Sequence, residues 1–423
     1  MEVFRGKPMR EQGRRPVRDQ AGEQPWEIVP GGGVTTPLGF HAAGVACGIK
    51  RKGRDLALVT SVVPARVAAF FTTNEVKAAP VRVSMCHARK GIARAIVINS
   101  GNANAYTGVG GIRDALEMAR FTAKLLRCRR SEVLVCSTGR IGRRLPMEKV
   151  CKGICRAWGR LSPEGGKDAA LAILTTDTRP KEVALRFSLG PTEVVIGAMA
   201  KGSGIIHPRL ATTLCIVTTN VAIEPQALYQ CAWSGVAQSF NRILVDGATS
   251  TNDTLIVLAN GLARNWPLGL RGEGTTLFQE ALRRVLRMLA RKILEDEEGI
   301  TQVVEIVVRG AGSQREAELG ARAVAQSVLV KCAWHAREPG WGRIMDALGC
   351  SGARVREELV DIFYNGVQMV RQGEPILVAQ SRVRKMLSLP HLTVAVDLHV
   401  GKEEYSLLTT DLTAEYVRRN GRE

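Results

Sequence analysis

The residues with the clearest chemical potential stand in Lys201–Leu214, which reads KGSGIIHPRLATTL. A Gly-Ser-Gly turn leads through an apolar pair and His207-Pro208 to Ala211, Thr212 and Thr213. Leu214–Thr219 follows, an apolar, β-branched run of the kind that forms a buried strand. A threonine that opens a buried strand directly after alanine is placed for self-cleavage. Its hydroxyl attacks the preceding carbonyl, the peptide becomes an ester, and water releases a new N-terminal threonine. That residue then carries nucleophile and base together, because a free α-amine titrates at about 7.7–8.0. The residues alone leave alternatives open. The threonine pair also suits the plain start of a strand, Thr213 is a second nucleophile candidate, and His207 fits a structural turn.

Other candidates sit where strand patterns empty into small or hydroxylic residues. Val133–Cys136 reads as a strand ending in Ser137-Thr138-Gly139. A hydroxyl and a backbone N–H there are the donor types that stabilise a tetrahedral oxyanion, although such a turn is common. Ala95–Asn99 ends in Ser100-Gly101-Asn102-Ala103-Asn104-Ala105, which suits either a backbone held close to a ligand or a tight amide-rich turn. Taken alone, Thr175-Thr176-Asp177-Thr178 is a hydrogen-bonded turn and Glu295-Asp296-Glu297-Glu298 a solvated acidic face.

The elements that must position these residues alternate. Strands are expected at Val45–Ile49, Leu56–Val63, Ala95–Asn99, Val133–Cys136, Val194–Met199, Leu214–Thr219, Leu255–Leu258, Val303–Val308 and Val394–Val400. Amphipathic helices are expected at Ala115–Leu126 and Leu277–Leu294. This alternation makes the chain an α/β protein, and 423 residues suffice for two domains.

Composition narrows the function. A net charge of +19 raises the question of nucleic acid. Yet aromatics are only 5%, and no zinc finger, helix-turn-helix or RNA-recognition motif organises the charge, so neither a nucleic-acid nor a membrane partner is expected. The basic residues cluster in the first 20 residues, in Leu282–Lys292 and at Arg140, Arg143 and Arg144. Residues 1–25 read as a disordered basic tail or as sequence ahead of the true start. The ten cysteines form no CxxC pair, so neither a disulfide framework nor a metal site is expected. No apolar run reaches the roughly 20 residues of a membrane helix, and a cytoplasmic location is expected.

KGSGIIHPRLATTL resembles the processing and nucleophile segment of the ornithine acetyltransferase (glutamate N-acetyltransferase) family of arginine biosynthesis. Further blocks match in order: FTTNEVKAAPV at 71–81, Ser137-Thr138-Gly139, TTDTRPK at 175–181, PGWGRI at 339–344, and Asp411-Leu412-Thr413 with Tyr416-Val417-Arg418 before Asn420. The resemblance implies an αββα sandwich core of the N-terminal-nucleophile type at 26–275, containing the cut, and a smaller α/β domain at 276–423. It implies cleavage between Ala211 and Thr212, Thr212 as nucleophile, and Thr138 and Gly139 as the oxyanion hole. Thr175, Lys201, Glu298 and Asn420 would hold the amino-acid substrate. Implied substrates are N-acetylornithine and glutamate, with acetyl-CoA as a second donor in bifunctional members. No cofactor is implied, and the assembly would be a tetramer of two α and two β chains. The sequence departs from the family pattern at Ala248, around Glu298 (Glu297, Ile300, Gln302), and in lacking a further threonine after Asn420. The change at Ala248 reads as a local change in a turn, and the other two departures support the alternative of a binding or regulatory descendant.

Overall fold

The computed structural model describes residues 25–202, 213–296 and 299–420. Ser203–Thr212 and Glu297-Glu298 lie outside the described residues, and so do the first 24 residues and the last three.

Among the described residues nine strands share one hydrogen-bonded sheet: β1 (Trp26–Ile28), β2 (Phe40–Val45), β3 (Leu56–Phe71), β4 (Ile92–Asn102), β5 (Val133–Arg140), β6 (Lys181–Leu189), β7 (Thr192–Lys201), β8 (Leu214–Thr219) and β9 (Thr254–Ala259). Their order is β1-β6-β7-β8-β9-β3-β4-β5, with β2 on β3. The 16-residue β3 carries the sheet from one layer to the next. Its first half pairs with β2 and β4, and Arg66–Phe71 pairs with β9 after a register shift between Thr60 and Ala65.

The two halves therefore face each other, and side-chain alternation records it. Ile96, Ile98, Leu134 and Cys136 point inward to meet Leu214, Ile216, Ile256 and Leu258 in a shared core. The alternate residues Ala95, Val97, Val133 and Val135 point outward under α1 (Ala79–Ala88), α2 (Gly108–Leu126) and α3 (Met147–Trp158). The short α4 (Gly166–Ala172) closes the inner core. On the opposite outer face Cys215, Val217, Leu255 and Val257 lie under α5 (Pro225–Ala237) and α6 (Glu273–Leu294). The fold is an αββα sandwich. Helix α6 buries Leu282, Val285, Leu286, Leu289 and Ile293, so the basic run noted in the sequence is its solvent face.

The second sheet runs β13-β12-β11-β14-β10-β15: β10 (Val303–Ala311), β11 (Asp361–Tyr364), β12 (Val367–Arg371), β13 (Glu374–Pro375), β14 (His391–Asp397) and β15 (Glu403–Thr410). Helices α7 (Gln314–Gln326), α8 (Val328–His335) and α9 (Trp341–Gly349) pack on it around the buried Trp334. Helices α10 (Gln380–Leu387) and α11 (Ala414–Asn420) complete the chain. The Leu244 N–H, in the connection between α5 and β9, donates to the Leu408 carbonyl of β15 at this sheet's edge.

The expected strand Val45–Ile49 is a strand only at Val45. The N–H groups of Cys47, Gly48, Ile49 and Lys50 all donate to the buried Asp55 carboxylate, and a strand cannot form where its donors are spent on a side chain. The expected strand Val394–Val400 is displaced, since β14 runs His391–Asp397 and stops short of Leu398–Val400. The other expected strands and both helices are present, mostly longer than read.

Candidate active site

One end of the first sheet gathers the candidate residues. Lys201 ends β7 opposite Leu214, which opens β8. Ser203–Thr212 therefore connects two adjacent antiparallel strands, and Thr213, the last residue before β8, is described and buried. Its N–H donates to Asp253 Oδ1 at 3.0 Å, and its carbonyl accepts from the Thr254 N–H at the start of β9. Thr138 and Gly139 lie near the end of β5, beside Ser100 and Gly101 of β4.

Gly139 must be glycine. Its φ is +124°, and a Cβ there would stand 2.4 Å from the Gly101 carbonyl carbon and 2.6 Å from the Asn102 nitrogen. The Asn252 side chain fixes this corner by donating to the Ser137 carbonyl at 2.9 Å and to that of Ala103 at 2.7 Å.

Lys201 joins the candidates. Its buried ammonium donates to Thr175 Oγ1 at 2.8 Å and to Thr138 Oγ1 at 3.4 Å, and lies 3.9 Å from Asp177 Oδ2. Asp177 accepts from the N–H groups of Thr175 and Gly202 and from Lys181 Nζ at 2.5 Å. Burial alone would raise its pKa. The charges of Lys201 and Lys181, with the Lys181 and Gly202 donors, outweigh burial and hold the carboxyl down at about 2. Lys181, itself fully buried, bonds equally to Asp296 Oδ2 at 2.5 Å. Asp296 also takes the Thr178 N–H and hydroxyl. Two carboxylates and one lysine thus clamp three segments: Thr175–Lys181, the end of β7, and the turn leading to Glu298.

Burial drives the pKa of Asp253 well above the ordinary carboxylate range, against the opposing pull of the Thr213 N–H and of Lys201. Its Oδ1 accepts the Thr213 N–H, and its Oδ2 has no hydrogen-bond partner among the described residues.

Comparison with known proteins now decides the family. The chain matches the ArgJ family over residues 41–422. It is 47% identical over 393 residues to the arginine biosynthesis bifunctional protein ArgJ of Symbiobacterium thermophilum, covering 92% of this chain and 98% of that one. The chain belongs to the ArgJ family. The ArgJ protein of Geobacter sulfurreducens is 44% identical over 386 residues, covering 90% of this chain and 98% of the relative. Among solved structures, ornithine acetyltransferase from Mycobacterium tuberculosis, complexed with ornithine, is 40% identical. It covers 45% of this chain and all of that chain, with a TM-score of 0.41.

Against the site expected of an ArgJ-family chain, Thr138, Gly139, Thr175 and Lys201 come together. Ala211, Thr212, His207 and Glu298 lie outside the described residues. Asn420 is the last residue of α11. That helix starts beside Gly299–Gln302: the Thr413 hydroxyl donates to the Gly299 carbonyl, and Asp411 takes the N–H groups of Thr301 and Gln302.

Sequence reasoning passed over four charged residues here. Asp296 was read within a solvated acidic face, yet it is buried on Lys181. Lys181 was only the end of a matching block. Asp55 and Lys50 gave no signal beyond an acid at the mouth of a strand. Lys50 Nζ reaches the Leu174 carbonyl at 3.0 Å. Burial lowers its pKa, with Lys201 acting the same way and Asp55 and Asp177 opposing. A cleft of about 670 Å³ lined by Arg82, His87 and Lys90 opens elsewhere, beside α1. His87 Nδ1 bonds there to the Val133 carbonyl, at the far end of β5 from Thr138.

Proposed function

We propose that this acetyltransferase of arginine biosynthesis moves the acetyl group of N2-acetylornithine to glutamate through an ester on Thr212. The observation that carries this reading is the meeting of Thr138, Gly139, Thr175 and Lys201 at the sheet end where the Ala211-Thr212 connection enters β8. In the proposed sequence the chain first cuts itself between Ala211 and Thr212. The new α-amine of Thr212 then takes the proton of its own hydroxyl as Oγ attacks the acetyl carbonyl. Thr138 and the Gly139 N–H stabilise the oxyanion. Collapse expels the α-amine of ornithine, which carries the proton away. Glutamate's amine attacks the acetyl-threonine ester by the same steps in reverse and restores the free hydroxyl. Thr175, Lys201, Glu298 and Asn420 hold the amino-acid ends, and the chemistry requires no cofactor.

The same reading takes the core at 26–275 and the smaller unit at 276–423 as two domains, with α6 reaching back to cover the first sheet. It makes the active form a cytoplasmic tetramer of two α and two β chains. A second donor, acetyl-CoA, is supported by the word bifunctional in the relatives' names and by the surplus of basic side chains. The test is acetyl transfer by purified full-length protein to glutamate, from N-acetylornithine and then from acetyl-CoA. N-acetylglutamate formed from the first donor is expected. No transfer from either donor contradicts the proposal and leaves the binding-protein alternative.

A further inference from the structure

The loop Cys47–Lys50 is wound around a buried carboxylate. Four consecutive N–H groups donate to Asp55, at up to 3.0 Å. Successive N–H groups converging on one anion fix a backbone tightly. The last residue of that loop is Lys50. Its stem lies across Gly101, where an added Cβ would stand 2.7 Å from Lys50 Cγ. Gly101 is the register partner of Gly139. The stem therefore crosses at Gly101, one strand over from Gly139, and the ammonium ends at the Leu174 carbonyl.

Two ammonium groups thus flank one peptide: Lys201 on the Thr175 hydroxyl and Lys50 on the Leu174 carbonyl. Their situations differ. Lys201 is buried and sits near Asp177. Lys50 is half-buried and forms no ion pair among the described residues. With one N–H donor on Leu174, it has two left for a ligand.

We propose that Lys50 is a specificity residue that binds the side-chain carboxylate of the acyl acceptor. The inference rests on the transferase reading above. A dicarboxylic amino acid needs two cations at neighbouring positions, and adjacent residues hold these two. Lys201, fixed by burial, takes the end common to all substrates. Lys50, on a flexible four-carbon stem, meets the group in which glutamate and ornithine differ, and can swing aside for ornithine's ammonium.

The test uses Lys50→Met, which keeps the stem and removes the charge, and Lys50→Arg, which keeps the charge. Neither touches the Asp55 bonds, which use only backbone N–H groups of the loop. Acetyl-enzyme formed from N-acetylornithine is partitioned to glutamate or back to labelled ornithine, and KM is measured for each acceptor. Lys50→Met should raise the KM for glutamate about tenfold or more, as losing a charge-assisted bond implies, and leave that for ornithine unchanged or lower. Lys50→Arg should recover most of the loss. An equal rise for both acceptors overturns the proposal, because a shared end or a merely structural role would produce it. No change for either overturns it too. Wild-type protein with no exchange at all defeats the transferase reading, a result distinct from these patterns.

Discussion

At the residue scale, the proposed catalysis depends on a hydroxyl held where an oxyanion would form. Thr138 is buried, and Lys201 holds its Oγ1 from one side. Thr138→Ala removes the donor and leaves Gly139 in place. It should lower kcat about 10²–10³-fold with little change in KM, read in steady-state acetyl transfer. A loss confined to KM would make Thr138 a binding group instead. Of the site residues described, Thr138, Gly139, Thr175 and Lys201 were legible in the sequence because each lies in a matching block. Lys50 and Asp55 were not. Nothing in a sequence tells an acid that will be buried among four N–H groups from one that faces water, since the N–H donors carry no residue identity.

At the element scale, the site is a junction of strand ends held by buried charge. Lys181 stands at the start of β6 between Asp177 and Asp296. Lys181→Met leaves two buried carboxylates without the cation they share and should destabilise the fold by roughly 3–5 kcal/mol, seen as a lower midpoint in urea unfolding. Unchanged stability would mean that water reaches the pair. Asp296 was misread for a related reason. Its acidic neighbours mark it as solvent-facing, and only the arrival of β6 beneath it buries it, while Glu295 is exposed as expected. Strands such as Leu214–Thr219 were easier, because an apolar β-branched run buried on both faces has few other places to go. The false strand at Val45–Ile49 shares that apolar pattern, and Asp55 took its donors.

At the scale of the whole molecule, the alternation of elements gave the α/β class. The four layers depend on β3 crossing from one half of the sheet to the other, which no local pattern encodes. That crossing also governs what a cut would do. The strands on either side of the connection, β7 and β8, pair antiparallel along their length, and both bury residues in the same two cores. Cleavage between Ala211 and Thr212 breaks one bond in a connection and none of the pairing, so the pieces should stay together as one folded particle. The central claim is that the chain makes its own nucleophile, and the most direct test is the intact mass of purified protein beside Thr212→Ala. The account predicts two co-eluting polypeptides from the wild type, each near half of the 45.9 kDa total, the second beginning at Thr212, and a single uncut chain from the variant. A folded, active wild type that remains one chain of full mass would contradict it.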